Sequence, residues 1–322
     1  MTTMTHASLT RDIQDFLVFK RALGYPYQRG ELTLVSFQRF VKMHVGSCAR
    51  FALDEEIERW MGREGERKPV SMGLELGVIR QLCLFRRRRE PNSFVPEHAM
   101  APVVESAFAP YIFSQEEIRR ILDETNNYRH RTMSATMLRT LILILYCTGL
   151  RLGEAVRLQM ADVDLKRRTF WIQESKGRSR IVPFRADLAR EIGRYLAERH
   201  PQHNLSKEGR RDALFVRNTG AHLTVGTASS AITRIMRRIG IKPQQGRVGP
   251  RPYELRHAFA VHRLTDWYRT GGDIQAKLPW LSAYMGHVDV LGTEAYLAAT
   301  PELMQFASQR FHRRLQQARK ER

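Results

Sequence analysis

Five residues of kinds that bind or attack phosphate follow one another along this chain. They are Arg151, Lys176, Arg256, His287 and Tyr296. A phosphate under attack spreads negative charge over its non-bridging oxygens, and two guanidiniums can hold those oxygens bidentately while a tyrosine attacks in line. The series therefore predicts a site that cuts a phosphodiester bond with an oxygen nucleophile.

The context of Arg151 indicates a side chain that the core positions. Residues 137–147 are almost wholly apolar and predict a buried helix, which Gly149 breaks before Arg151 begins a new turn. Glu154 follows within the same turn. Arg151 and Glu154 can form a simple ion pair, or Glu154 can orient the neighbouring groups of a site.

Lys176 is predicted at the tip of a β-hairpin. Residues 169–172 and 181–182 are strand formers, and Ser175-Lys-Gly177 between them is typical of a turn. A lone lysine at a turn is commonly a solvated side chain. Arg178 and Arg180 are nearby and compete with it for a role at a phosphate.

Arg256 lies in Tyr253-Glu-Leu-Arg-His257, in a helix predicted to begin near Pro252. Residues three and four apart share a helix face, so Tyr253, Arg256 and His257 are expected on one surface. We expect His257 to be a structural, hydrogen-bonded histidine rather than a proton carrier.

His287 follows Gly286 at a predicted helix start, where glycine allows close approach of the backbone. Its imidazole can hydrogen-bond a scissile phosphate or the nucleophile, or it can be a satisfied core histidine. Tyr296, taken alone, is typical of a half-buried helix tyrosine. Its place in the ordered series favours a chemical role.

The order of these motifs resembles that of the tyrosine recombinases, the phage-integrase-like site-specific recombinases. The resemblance is dense over about residues 113–305 and weaker over the first hundred. It implies that Tyr296 is the nucleophile, Arg151 and Arg256 stabilise the transition state, Lys176 protonates the leaving 5′ oxygen, and His287 orients the phenol or accepts its proton. Glu154 matches the family's acidic residue, which orients neighbouring site residues.

Two features depart from the family pattern. Tyr253 stands where the family usually has histidine or lysine, and a phenol can donate a hydrogen bond but carries no charge at neutral pH. Phosphate binding is then weaker there, or Arg247 or Arg251 compensates. The gap between Arg256 and His287 is also long, and residues 268–277, with Gly271-Gly272, are predicted to form an extra loop.

The remaining pattern predicts a mainly α protein with a small β-hairpin or sheet, in two domains. Four amphipathic helices, at about 9–23, 32–45, 53–61 and 71–87, predict a bundle over residues 1–90. Residues 91–110 have the proline-rich composition of a linker. Ser114 and Glu117 form a predicted capping box that opens an α+β catalytic domain over 111–322.

The charge of the chain points to a polyanionic partner. It has 53 Lys and Arg against 33 Asp and Glu, a net charge of +20, of which residues 101–322 carry +16. The candidate DNA-binding residues are Arg86, Arg87, Arg88, Arg89, Arg178, Arg180, Arg234, Arg237, Arg247 and Arg251. A solvated helix face is the alternative for the runs 86–89 and 234–238.

The implied partner is double-stranded DNA with an inverted-repeat core site. By resemblance the chain assembles as a tetramer on two such sites, the C-terminal helix can dock on a neighbouring protomer, and an accessory DNA-binding protein can take part. No cofactor and no metal is expected, because the chain lacks a phosphate-binding glycine loop and a clustered Asp/Glu site. No membrane span or signal peptide is expected, and Cys48, Cys83 and Cys147 are predicted to be reduced core thiols of a cytoplasmic, nucleoid-associated protein.

These patterns predict a site-specific DNA recombinase that works through a covalent 3′-phosphotyrosyl intermediate, for a mobile element or for resolution of DNA multimers. Two alternatives stay open. One is a DNA-binding accessory or regulatory protein with weakened catalysis, which Tyr253 favours. The other is an enzyme like the type IB topoisomerases, which shares the tyrosine chemistry and religates the same strand.

Overall fold

The computed structural model describes residues 3–46, 49–63, 65, 67–102, 110–175, 178–199, 213–287, 296 and, beyond them, 305, 308, 309, 311, 312 and 316. The chain divides into two compact units, Met1–Ala107 and Phe108–Arg322. Each is mainly helical with a small antiparallel sheet, and this confirms the predicted fold class. The predicted division of labour, with DNA binding in 1–90 and catalysis in 111–322, stays a prediction.

The first unit is a bundle of four helices. They are α1 (His6–Ala22), α2 (Gln28–Val45), α3 (Leu53–Gly62) and α4 (Pro69–Arg87). Each covers one of the four amphipathic stretches predicted from the sequence. Two short strands that were not predicted, β1 (Thr3–Thr5) and β2 (Arg50–Ala52), pair antiparallel with Met4 opposite Phe51.

The core of this bundle follows from the apolar stripes of its helices. Leu9, Phe37 and Ile79 are fully buried on α1, α2 and α4. Phe94 and Val95, in the stretch predicted to be a linker, also pack against this core. The first unit therefore extends beyond α4 into the proline-containing segment.

The second unit begins with the predicted capping box. The Ser114 hydroxyl accepts from the Glu117 backbone N–H, and the Glu117 carboxylate accepts from the Ser114 N–H, at the start of α5 (Gln115–Glu124). The buried α6 (Ala135–Thr148) follows, as predicted. Gly149 ends it at φ +62°, and a Cβ there would meet the Phe259 ring, so α6 packs closely against the helix that carries Phe259.

The remaining elements surround α6. They are α7 (Leu152–Arg157), β3 (Val163–Asp164), β4 (Thr169–Ser175), β5 (Arg178–Pro183), α8 (Ala186–Arg199), α9 (Val225–Arg238), α10 (Glu254–Arg269) and α11 (Ile274–Met285). The strands form one antiparallel sheet in the order β3-β4-β5, and β4 and β5 make the predicted hairpin. Phe170, Val182, Phe215 and Ile232 join α6 in a single core.

Three local predictions were wrong in whole or in part. Gly286 ends α11 at φ +69° instead of opening a helix, because only glycine adopts this conformation without strain. The loop predicted over 268–277 contains Gly271-Gly272 but spans only residues 270–273, since α10 runs to Arg269 and α11 begins at Ile274. Cys147 is exposed, whereas Cys83 is buried as predicted. Cys48 lies outside the described residues.

No helix in the described ranges is long and apolar enough to cross a bilayer.

Candidate active site

Arg151 lies at the N-terminal boundary of α7, directly after the turn that ends α6. Its backbone N–H donates to Glu154 Oε2 at 2.9 Å, and its Nη1 donates to Glu154 Oε1 at 2.8 Å. Its Nη2 donates to the Gly286 carbonyl at 2.9 Å. The guanidinium is thereby held in one orientation by Glu154 of the adjoining helix α7 and by Gly286, which is remote in the sequence.

Glu154 links two arginines. Its carboxylate is 4% exposed and accepts from Arg151 and also from Arg180, whose Nη2 and Nη1 lie 2.9 and 3.2 Å from Oε2 and Oε1. A carboxylate buried to this extent needs such partners. Glu154 is thus more than one member of a simple ion pair, because it fixes both guanidiniums relative to each other.

Arg256 is 1% exposed in the first turn of α10. Its Nη1 donates to the Gly149 carbonyl at 2.6 Å and its Nη2 to the Met285 carbonyl at 2.7 Å. Its buried Nε has no hydrogen-bond partner among the described residues. Burial and the nearby charge of Arg151 lower the Arg256 pKa, so an anion at this point would relieve an unfavourable concentration of positive charge.

The end of α11 collects three guanidiniums. The carbonyls of Tyr284, Met285 and Gly286 accept from Arg180, Arg256 and Arg151, respectively. The last carbonyls of a helix lack intrahelical partners and form the negative end of its dipole, so they favour cations. The C-terminus of α11 therefore positions both arginines of the candidate phosphate site.

Tyr296 is 4% exposed and lies beside these arginines. Burial raises the pKa of its phenol, while the positive charge of Arg256 lowers that pKa in part. Its ring centroid lies 5.2 Å from that of His257 and 6.1 Å from that of His287. The tertiary fold therefore brings Tyr296 to Arg256 and His287, as the sequence series predicted.

Comparison with known proteins decides the family. The model of the phage integrase family matches residues 112–302. The chain is 31% identical to y4rB of Sinorhizobium fredii, which its name places among the integrases and recombinases, over 94% of this chain and 96% of y4rB. It is also 31% identical to tyrosine recombinase XerC 2 of Ralstonia nicotianae, over 91% of this chain and 83% of that protein.

The chain belongs to the phage integrase family, the tyrosine-type site-specific recombinases. A solved structure agrees at the level of the fold. The Tn1549 transposon integrase, solved with transposon right end DNA, matches with a TM-score of 0.67 at 16% identity, over 96% of this chain and 100% of that chain.

His257 differs from the structural role expected for it. Its ring lies between Tyr253 and Tyr296, with centroids 4.9 Å from the first and 5.2 Å from the second. Its Nδ1 has no hydrogen bond among the described residues, and its Nε2 is 3.6 Å from Glu254 Oε2. Burial, followed by the charges of Arg256 and Arg251, lowers the His257 pKa to about 4. The only sequence signal for this contact was its position next to Arg256.

Tyr253 is the residue that the resemblance aligns with the usual histidine or lysine of the family. It is 43% exposed, just before α10, and its ring contacts His257. His287 is held by its backbone N–H, which donates to the Ser282 carbonyl at 3.0 Å after Gly286 has reversed the chain. Tyr253 and His257 are in ring contact, as the spacing predicted, while the Arg256 guanidinium is buried and directed to the Gly149 and Met285 carbonyls.

Strands β4 and β5 pair as the predicted hairpin, and Lys176, which the sequence predicts at its tip, lies outside the described residues. Arg178 begins β5, and its side chain also lies outside the description. Arg180 is directed inward to Glu154 and to the Tyr284 carbonyl, with 10% of its side chain exposed. Each nitrogen of its guanidinium is bonded within the protein, and its predicted contact with DNA stays a prediction.

The other candidate DNA-binding arginines differ in exposure. Arg86 is 7% exposed and forms ion pairs with Asp12 at 2.7 Å and Glu90 at 3.1 Å, so it stabilises the bundle, and its predicted DNA contact stays a prediction. Six others have exposed side chains. These are Arg87, Arg88, Arg89, Arg234, Arg247 and Arg251.

Arg237 is partly buried and donates to the Gly246 carbonyl at 3.1 Å. It lines a polar groove of about 540 Å³ on α9 with Arg234, Ser229 and Ser230. Hydroxyl and guanidinium donors of this kind suit phosphate oxygens. Among the described residues, no three His, Cys, Asp or Glu side chains lie together as a metal site requires.

Proposed function

We propose that this family member cuts and rejoins DNA strands through a covalent 3′-phosphotyrosyl intermediate. The observation that carries the proposal is the arrangement at the end of α11, where Arg151 and Arg256 are fixed beside the buried Tyr296. Two oriented guanidiniums next to a phenol provide charge stabilisation and a nucleophile in one place.

In the first step, the Tyr296 oxygen attacks the scissile phosphorus and the bond to the 5′ oxygen breaks. The phenol proton passes to a base, for which His287 is our candidate. Arg151 and Arg256 hold the non-bridging oxygens as negative charge develops on them. The buried Nε of Arg256, which has no hydrogen-bond partner among the described residues, can donate to one of these oxygens.

The leaving 5′ oxygen needs a proton, and we assign its donation to Lys176, on the strength of its sequence position between β4 and β5. The 3′ side of the strand stays linked to Tyr296, so the energy of the phosphodiester bond is retained. The 5′ hydroxyl of a partner strand then attacks the phosphotyrosine and releases the phenol. Glu154 keeps Arg151 oriented through both steps.

The partner in this proposal is double-stranded DNA with an inverted-repeat core site. The Tn1549 integrase was solved with transposon DNA, which supports a DNA substrate for a chain of the same fold. The groove on α9 and the exposed arginines after α4 are the surfaces we assign to backbone contact. We assign residues 1–90 to clamping the duplex and 111–322 to catalysis.

We further propose assembly as a tetramer on two sites, with strand exchange that serves a mobile element or the resolution of DNA multimers. The printed names of y4rB, an integrase/recombinase, and of the tyrosine recombinase XerC 2 support strand exchange as the activity. Exchange of the C-terminal helix between protomers and an accessory DNA-binding protein belong to the same proposal.

The test is capture of the covalent adduct. Wild-type protein and Tyr296→Phe are incubated with nicked duplexes tiled across the DNA that flanks the gene, and the products are run on a denaturing gel. We expect a shifted band with wild type alone and a DNA-linked peptide that contains Tyr296. Tyr25→Phe, the same change at a tyrosine that is 59% exposed in the first unit, is the matched control and should form the adduct.

Two results would contradict the proposal. If wild type and Tyr296→Phe both bind the duplexes but neither forms an adduct, the chain is a DNA-binding accessory protein. If wild type forms the adduct but rejoins only the original strand, without exchange between two labelled sites, it acts as a topoisomerase.

A further inference from the structure

Arg180 is a buried arginine that none of the proposed chemical steps uses. It lies on β5, and each nitrogen of its guanidinium has a partner: Nε donates to the Tyr284 carbonyl at 2.9 Å, while Nη1 and Nη2 donate to Glu154 at 3.2 and 2.9 Å. Only 10% of the side chain is exposed. One planar group thus joins β5, α7 and the end of α11.

The two sides of this joint lead to different groups of the candidate active site. Through Glu154, Arg180 is coupled to Arg151, whose Nη1 and backbone N–H bond the same carboxylate. Through the Tyr284 carbonyl, it holds the last turn of α11, after which the chain continues into His287. Arg180 is therefore a second link between the positions of Arg151 and His287, beside the direct bond from Arg151 Nη2 to the Gly286 carbonyl.

The contact between Arg180 and Gly286 requires a planar guanidinium and a residue without a side chain. A Cβ at position 286 would come 2.6 Å from Arg180 Nη1 and 2.8 Å from its Cζ, so the guanidinium fills the space that Gly286 leaves open. A lysine presents one ammonium at a point and cannot bond a carboxylate bidentately while it also reaches a carbonyl. Charge alone would not reproduce this contact.

We propose that Arg180 is a positioning residue that sets Arg151 and His287 in register for attack on the phosphate; the proposal rests on the proposed function. Arg180 contacts no reacting atom in this account. It acts by locking the Glu154 carboxylate to the end of α11. Misplacement of reacting groups by about 1 Å lowers rates on the order of a hundredfold, which sets the size of the expected effect.

The experiment compares Arg180→Met and Arg180→Lys with wild type in single-turnover adduct formation. Arg167→Met, at an arginine that is 86% exposed, is the matched control and should behave as wild type. We expect both Arg180 variants to cleave about 10 to 100 times more slowly, with unchanged DNA affinity and unchanged final amplitude. Wild-type rates in Arg180→Lys would overturn the proposal, since charge would then suffice.

A substrate with sulfur in place of the leaving 5′ oxygen distinguishes a defect in leaving-group protonation from a defect in nucleophilic attack. A 5′-bridging sulfur leaves without needing a proton, so it should restore cleavage to Lys176→Ala. Arg151 and His287 act on the phosphate and the nucleophile, and the Arg180→Met defect should therefore be equally large on both substrates. Recovery of Arg180→Met on the sulfur substrate would place its effect at the leaving group and contradict the proposal.

Hydrogen exchange gives a readout that needs no cleavage. The His287 backbone N–H bonds the Ser282 carbonyl, and its protection depends on the last turn of α11. We expect faster exchange at residues 285–287 in Arg180→Met, with unchanged protection in α1 to α4. Unchanged protection at 285–287 would overturn the positioning role. If wild type forms no adduct at all, the proposed function fails while this measurement still decides the role of Arg180.

Discussion

The rings of His257 and Tyr296 meet edge to face, with centroids 5.2 Å apart and planes at 75°. Such contacts stabilise by about 1 kcal/mol beyond burial and fix the direction of a ring. Arg256 precedes His257 on α10, and its positive charge lowers the pKa of the phenol in part, so one helical turn places a ring against the nucleophile and a cation near its oxygen. His257 is thus part of the site through its contact with Tyr296, which its sequence position beside Arg256 did not predict.

The low pKa of His257 predicts a pH-dependent stability. Its folded pKa, about 4, lies below its ordinary value of 6.5, so between these values the unfolded chain binds the proton and the folded chain does not. The free energy of unfolding should fall as the pH drops from 6.5 to 4, by about 1 to 3 kcal/mol from this group. Urea titrations of wild type and His257→Phe should show a steeper fall for wild type; parallel curves would contradict the prediction.

Replacement of Tyr253 by the residue type usual in the family should increase cleavage. A histidine there can donate a hydrogen bond and carry positive charge near the phosphate, and Tyr253 is exposed enough to be exchanged without loss of core packing. We expect Tyr253→His to raise the single-turnover rate by roughly 3- to 10-fold below pH 7. Tyr253→Phe, which only removes the hydroxyl, is the control. A rate for Tyr253→His below that for Tyr253→Phe would mean that the phenol itself is required.

Two arginines of the same run should differ in what they stabilise. Arg86→Met leaves Asp12 without its cation in a mostly buried place and should lower the free energy of unfolding by about 2 to 3 kcal/mol. Arg88→Met, at an exposed arginine whose Cζ lies 4.8 Å from the Phe19 ring centroid, should change stability by less than about 1 kcal/mol. The slope of the logarithm of DNA affinity against the logarithm of salt concentration should decrease by about one in Arg88→Met and stay unchanged in Arg86→Met. If the salt dependence weakens in Arg86→Met and not in Arg88→Met, Arg86 is the DNA contact.

Gly286→Ala should impair the site as well as the backbone. The residue has φ +69°, and an added Cβ would also meet the Arg180 guanidinium at 2.6 Å. Gly271→Ala is a matched control, because φ is +74° there and a Cβ meets no described atom within 4 Å. Each change should lower the free energy of unfolding by about 1 to 2 kcal/mol. Only Gly286→Ala should slow adduct formation, by at least about tenfold; equal rates in the two variants would mean that the contact with Arg180 is not needed.

Much of the fold was predictable because its signals are local. The stripes of α1 and α2, the capping box of Ser114 and Glu117, and the apolar run of α6 each depend on residues within a few positions of one another. Glycine was harder to interpret. The sequence around Gly286 predicts a helix start, but its positive φ and the following His287 N–H bond define a helix end. The same residue suits either boundary until the flanking turn is known.

The sequence by itself determined the order of the phosphate-handling residues, the helical frame around them and the basic charge, since these are properties of residue type and short-range spacing. Only the tertiary structure decided which arginines face inward. Arg86 and Arg180 look like solvated cations in the sequence, yet Asp12, Glu154 and the Tyr284 carbonyl bind them from distant parts of the chain. A guanidinium is buried only where the tertiary fold supplies acceptors for its N–H groups. Those acceptors come from distant parts of the chain, so no local sequence pattern predicts them.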